Sequence, residues 1–221
     1  MVEVLEHAGF DVALTPPGVC CGRPLYDFGM LKIAKRFARR NLDALGPYLT
    51  RGLPIVGIEP SCVAAFRDET ANLLPKDEDA LRLKSQTYTL AQLLERHAPD
   101  FEPPKLGRPA IVQGHCHHKA IMGLDAERRL LERMGVEWGD DDWGCCGMAG
   151  SFGYEEEKYE VSMAVGERFL LPAVREAPDA IVIADGFSCR SQIKHGAQRK
   201  GLHTSQAVAL ALRENTMQGG A

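Results

Sequence analysis

Val19-Cys20-Cys21-Gly22-Arg23 and Gly144-Cys145-Cys146-Gly147-Met148 carry the same doublet of adjacent cysteines followed by glycine, and the reading of this pair decides the fold. Glycine tolerates positive φ, so each doublet sits on a loop that can turn sharply and present two thiols at one point. Each doublet has a later partner. Cys62 lies in Glu59-Pro60-Ser61-Cys62 and Cys189 in Gly186-Phe187-Ser188-Cys189, 41 and 43 positions after the respective doublets. Cys116 precedes the second doublet and has no counterpart before the first. One scheme, used twice, accounts for all seven cysteines.

Around these loops the sequence predicts two similar α/β units. In the first, residues 2–9 read as a short helix and Asp11-Val12-Ala13-Leu14-Thr15 alternates like a strand, ended by Pro16-Pro17-Gly18. Residues 28–48 read as a helix. Pro54-Ile55-Val56-Gly57-Ile58-Glu59 reads as a buried strand, and Ser61 as the N-cap of a helix with Cys62 in its first turn. That position predicts a lowered thiol pKa, because the helix dipole favours the anion. Helices over 77–83 and 90–97 complete the unit, and Pro99, Pro103 and Pro104 mark a linker.

The second unit starts with strand Pro109-Ala110-Ile111-Val112-Gln113, which leads into Gly114-His115-Cys116-His117-His118-Lys119. A helix over 125–134, the segment Val136-Glu137-Trp138, the loop from Trp143 through the second doublet, and a helix over 155–174 follow. Strand 180–184, a helix capped by Ser188 and holding Cys189, and a helix from Thr204 to about Glu214 close the chain. Leu5-Glu6-His7-Ala8-Gly9 echoes Leu131-Glu132-Arg133-Met134-Gly135, and Tyr88-Thr89 echoes His203-Thr204. The expected organisation is therefore residues 1–103 and 104–221. Met1 aligns inside a helix of the second unit, so the first lacks its first strand and exposes an edge. The reading favoured is that the chain is the C-terminal piece of a longer protein; the alternative is that another element covers that edge.

The chain has 221 residues, 45% of them hydrophobic, and a net charge of -4 with both signs mixed. This allows a buried core and argues against a nucleic-acid surface. The N-terminus is acidic where a secretory signal is basic, and no apolar run approaches the roughly 18 residues of a membrane span. A cytoplasmic location is expected. Seven cysteines there fit metal or redox chemistry better than a disulfide framework.

In open α/β sheets, sites form beyond the carboxyl ends of the strands. Three such loops of the second unit carry cysteine, so Cys116, Cys145, Cys146 and Cys189 are expected to converge, with Cys20, Cys21 and Cys62 as a second, three-thiolate set. Soft thiolates suit an iron–sulfur cluster or zinc. Adjacent cysteines point apart in regular backbone, and tetrahedral zinc prefers spaced pairs, so the doublets favour a cluster. Buried structural cysteines and a strained vicinal disulfide rank below it. His115, His117 and His118 are candidates to add a ligand or tune the site. Arg23, Lys119 and Arg190 are candidates to stabilise its negative charge. Glycines 144, 147, 150 and 153 fit neither a P-loop nor G-x-G-x-x-G, and no hydrolytic triad or carboxylate pair is visible.

On the two doublet segments and Gly114-His115-Cys116-His117-His118-Lys119, the sequence resembles the cysteine-rich CCG domain family, found in heterodisulfide reductase and in the iron–sulfur subunits of glycolate and lactate oxidases. It is most similar to the C-terminal region of FAD-linked oxidases related to D-2-hydroxyglutarate and D-lactate dehydrogenases. The resemblance covers essentially the whole chain. It implies an electron-transfer module, carrying a 4Fe-4S cluster, that passes electrons from a flavoprotein domain or subunit to an acceptor. The family repeat runs cysteine, then CCG, then CxxC; here its last position is Gln192 in the second unit and Ala65 in the first. The resemblance therefore implies four-thiolate rather than five-cysteine ligation. Neither a flavin domain nor a C-x₂-C-x₂-C-x₃-C-P ferredoxin run is present, so the chain alone is not expected to oxidise a hydroxy acid. The rival readings are a zinc-binding docking module and a thiol–disulfide redox protein.

Overall fold

The structure is a computed structural model that describes residues 1–138 and 144–218. Trp143, read above as the start of the doublet loop, lies outside them. The chain is an α/β fold whose short parallel strands form two sheets, with helices in every crossover. The first half runs α1 (Val2–His7), α2 (Arg23–Asp27), α3 (Leu31–Leu49), β1 (Ile55–Val56), α4 (Pro60–Ala64), α5 (Thr70–Leu73), α6 (Glu78–Gln86), β2 (Thr87–Tyr88) and α7 (Leu90–His97). A single π turn, Ala65–Glu69, joins α4 to α5. The second half runs β3 (Ala110–Gln113), α8 (Asp125–Arg133), α9 (Tyr159–Gly166), α10 (Leu170–Glu176), β4 (Ile181–Ala184), α11 (Phe187–Ala197), β5 (Gly201–Leu202) and α12 (Thr204–Gln218).

β1 pairs with β2, and β4 lies between β3 and β5, all in parallel register. Glu137 bridges Pro109 beside β3. The orders β1–α4–α5–α6–β2–α7 and β4–α11–β5–α12 share one plan, a strand, a helix with cysteine in its first turn, a strand and a closing helix, with α5 and α6 added to the crossover of the first half.

Local chemistry explains most boundaries. α7 begins at Thr89, whose hydroxyl accepts from Gln92 N–H while the Gln92 side chain accepts from Thr89 N–H, a complete capping box. Asp77 caps α6 through the N–H groups of Asp79 and Ala80. Three expectations fail. The alternating segment Asp11 to Thr15 forms no strand: Leu14 is 77% exposed, and no neighbouring strand among the described residues supplies the ladder that would satisfy its backbone. The helix expected over 155–174 is split into a 3₁₀ turn, Glu156–Lys158, followed by α9 and α10; the break between α9 and α10 follows from Pro172, which has no N–H and whose ring would clash with the Arg168 carbonyl in a continuous helix. The helix expected over 28–48 is present as α3, preceded by a separate short helix, α2, with Pro24 in its first turn. Neither Ser61 nor Ser188 is an N-cap; those positions are Glu59 and Gly186.

The largest apolar cluster takes side chains from both halves: Val4 and Leu5 of α1 and the inner face of α7 pack with Leu130 and Leu131 of α8, Ile183 of β4 and Val208 of α12. Polar contacts cross the same boundary. Thr89 donates to Glu127, whose other oxygen lies 3.1 Å from His118 Nε2, all three side chains being buried. His203 Nε2 lies 2.7 Å from the carbonyl of Ile58. A buried leucine in this shared cluster supports both halves, so Leu131→Ala should lower unfolding free energy by about 2–5 kcal/mol in one cooperative denaturant transition. Two separated transitions would show that the halves unfold independently.

Candidate metal centre

Each thiol arrives on a loop or helix start at the carboxyl end of a strand or just after a turn. α4 and α11 place Cys62 and Cys189 at equivalent third positions. The Cys20–Cys21 loop is held by Asn41, a buried polar residue on the inner face of α3: its amide donates to the Cys20 carbonyl at 2.7 Å and its oxygen accepts from Cys20 N–H at 3.3 Å. The Cys145–Cys146 loop is tied to the Cys116 loop by buried Gln113, whose Nε2 donates to the Gly144 carbonyl at 3.0 Å. All seven cysteines, free of disulfides, line one cavity of about 700 Å³ between the halves. That volume lies in the range of ligand pockets. The two sets expected as separate sites therefore share one space.

Glu59 organises the junction. Its Oε1 accepts from Ser61 N–H at 3.5 Å and from the Ser61 hydroxyl at 3.1 Å, while its Oε2 accepts from Phe187 N–H at 2.8 Å. α11 starts at Gly186 and has no side-chain cap of its own; the carboxylate that caps α4 caps it as well. Gly186 is required, because a Cβ there would lie 2.3 Å from His115 Cδ2.

The glycine of each doublet has positive φ, 74° at Gly22 and 92° at Gly147. This turns backbone N–H groups toward sulfur: Gly147 N–H donates to Cys145 Sγ at 3.3 Å, and Met148 and Arg23 N–H do the same for Cys146 and Cys21. Such donors stabilise sulfur-borne negative charge.

The thiols also bond to one another. Cys62 donates to Cys21, and that bond above all holds the Cys21 thiol down to about 7 against burial, with help from Arg23. The same bond, then burial and the charges of Cys21 and Glu59, push Cys62 up. The helix-start position was expected to lower Cys62; proximity to Cys21 and Glu59 outweighs the dipole. In the second half the bond to Cys146, then burial, raises Cys145. Cys146 is helped by accepting from Cys145, yet its bond to Cys189 and its burial push it up to about 12. Burial, then the Cys145 charge, raises Cys116. Metal binding here must displace these protons.

The flanking residues divide. Arg23 lines the cavity and pairs with Asp27 at 2.8 Å and with Glu69. Lys119 favours the Cys145 thiolate electrostatically. Arg190 does not face the thiols; its guanidinium donates to the carbonyls of Ala184 and Asp185. His115 and His117 line the cavity, and burial holds both imidazoles below their ordinary pKa, His115 at about 4. His118 instead faces Glu127. Gln192 is buried, with its amide donating to the Ser162 carbonyl at 3.2 Å and hydroxyl at 3.3 Å. Ala65 is buried where the π turn begins. Glu59, Asn41 and Gln113 were missed by sequence reading; the one available signal was Asn41, a polar residue in the apolar stripe of α3.

Two outcomes test this geometry in metal-free protein. Cys21 alkylation should fall as pH drops through about 7, where its thiol takes up a proton, and Cys62→Ala should move that midpoint upward by removing the main donor; mass spectrometry of alkylated peptides reads both. A Cβ at Gly147 would lie 2.0 Å from the Ser162 carbonyl oxygen, whereas one at Gly22 meets only Phe37, with Cβ at 3.4 Å. Gly147→Ala should therefore expose buried Cys146 to alkylation, and Gly22→Ala should not.

The model of the CCG cysteine-rich domain family matches residues 1–67 and 123–194. D-2-hydroxyglutarate dehydrogenase of Escherichia coli (strain K12) is 29% identical over 211 residues, 94% of this chain and 20% of that protein. One subunit of the anaerobic glycerol-3-phosphate dehydrogenase of the same organism is 27% identical over 217 residues, covering 96% of this chain and 54% of that protein. Lactate utilization protein A 1 of Bacillus mycoides (strain KBAB4) is 26% identical over 230 residues, 100% of this chain and 91% of that protein. The chain thus spans a fifth of the first relative and about half of the second. The two family matches each contain one CCG doublet, and on that correspondence the chain belongs to the CCG cysteine-rich domain family.

Proposed function

We infer that this chain is the iron–sulfur electron-transfer module of an FAD-linked oxidoreductase acting on a 2-hydroxy acid, built as two repeats over 1–103 and 104–221. The observation that carries this reading is the convergence of seven free thiols on one cavity of about 700 Å³. The donor set fits the group: soft sulfur ligands select iron–sulfur clusters and zinc, and seven thiols exceed the four of a structural zinc. The backbone N–H groups aimed at sulfur fit it too, since such bonds tune a cluster.

Cys116, Cys145, Cys146 and Cys189 would hold a 4Fe-4S cluster, and Cys20, Cys21 and Cys62 form the second set. Bound there, the cluster would supply one-electron transfer. The chain's own groups set its surroundings. Arg23 offsets negative charge at the junction, and apolar packing around Cys146 and Cys189 keeps water from their sulfurs. Phe28, 60% exposed, and Phe152 stand among the lining residues where a partner would approach. The flavin belongs to a partner domain or subunit, a reading supported by relatives that extend well beyond the matched region. No helix among the described residues is long and apolar enough to cross a membrane.

Anaerobic purification with iron, sulfide and zinc analysis tests the reading. A brown protein with about four irons and four sulfides per cluster is expected, and Cys145→Ser should remove that content. Stoichiometric zinc without iron, or full iron and sulfide in the variant, would overturn it.

A further inference from the structure

We propose that the exposed face of α3 is the surface on which an acidic flavoprotein docks to deliver electrons to the thiol cavity; this rests on the iron–sulfur reading of that cavity. The sequence from Phe28 to Leu42 holds five cations, Lys32, Lys35, Arg36, Arg39 and Arg40, and no acid, in a chain whose net charge is -4. At 3.6 residues per turn the five fall within about 140° of the helix. All are exposed, and none has an ion pair or side-chain hydrogen bond among the described residues. Exposed arginines elsewhere are paired: Arg129 with Glu95, Arg175 with Glu167 and Arg213 with Glu3. The stripe does not serve its own helix. Like charges three and four positions apart repel one another. Lys32 lies in a first turn that has no acid and no side-chain cap, where the helix dipole disfavours a cation.

Position ties the stripe to the thiols. Asn41 of the same helix holds the Cys20–Cys21 loop. A Cβ at Gly18 would lie 2.5 Å from Arg40 Nη2, so the last guanidinium of the stripe rests against the turn that leads into that loop. At the other end Phe28, Met30 and Leu31 are exposed, and Phe28 lines the cavity. An apolar contact with a charged rim is the anatomy of a protein interface. Carboxylates on the partner would be steered by the stripe to the cavity mouth, where complementary charge raises the rate of encounter. Lipid fits this face less well. A helix that lies on a membrane turns its apolar side into the bilayer, whereas Ala38, Leu42, Leu45 and Leu49 of α3 are buried in the core of the first half.

The test uses the full chain, reconstituted anaerobically with ferrous iron and sulfide, with an acidic flavodoxin in its hydroquinone form as the probe. The flavin loses one electron and the cluster gains it, which stopped-flow absorbance follows. The rate is expected to fall as salt rises, and Arg36→Glu with Arg39→Glu should lower it about tenfold at low salt. Lys194→Glu with Lys200→Glu, an equal change of charge at exposed positions of the second half, should hold it within about twofold. Iron and sulfide content should be the same in all three proteins. A rate that ignores the α3 reversal, or that the second-half reversal lowers as much, would overturn the proposal. Sedimentation with phosphatidylglycerol vesicles at physiological salt, abolished by the α3 reversal, would also overturn it, because the stripe would then be a lipid surface. Should the unsubstituted chain take up no iron and sulfide, the iron–sulfur reading fails and the docking role with it, whereas a loaded chain whose rate ignores the stripe loses the docking role alone.

Discussion

A single carboxylate holds the thiol-bearing helices together. Glu59 caps α4 in its own half and α11 in the other, and these helices carry Cys62 and Cys189. A helix start leaves four N–H groups without partners, and burying them unpaired is costly. α11, with Gly186 in place of a capping side chain, is therefore completed only when the halves are joined. The buried Thr89–Glu127–His118 contact and the bond from His203 to the Ile58 carbonyl work in the same direction. One cavity, rather than two, is the consequence.

Within the cavity, the CCG pattern acts through its backbone. Positive φ at the glycine lets N–H groups reach the sulfurs, and the side chain that glycine lacks is what leaves room for the Ser162 carbonyl. Gln192 then locks the second doublet loop from behind through Ser162. Gln192 is thereby part of the scaffold behind the thiols. In both halves neighbouring thiols share protons: the bond that holds Cys21 near neutral pH raises Cys62, and thiol–thiol bonds and burial raise Cys145 and Cys146. Both sets must lose tightly held protons to a metal, and its four thiols make the second the fuller donor set.

Much of this was legible in the residues. The doublets and their spaced partners marked the thiols that meet, because cysteine chemistry is local and its spacing is visible. Helix α7, strands β3 and β4, and the repeated plan follow from periodicity, which acts over a few residues. The same local rules misled where a partner was needed. Asp11 to Thr15 alternates as a strand does but has no neighbour to pair with, and the helix expected across 155–174 ignored the clash that Pro172 imposes.

By itself, then, the sequence determined the α/β class, the seven sulfur donors and the turns that carry them, since backbone conformation and donor identity depend on each residue and its nearest neighbours. Only the tertiary structure decided that both thiol sets face one cavity, that Glu59 caps two helices, that Cys62 is raised rather than lowered, and that His117 rather than His118 stands beside the cysteines. Those outcomes depend on desolvation and on contacts between residues as far apart as Glu59 and Phe187, which no local pattern in the chain records.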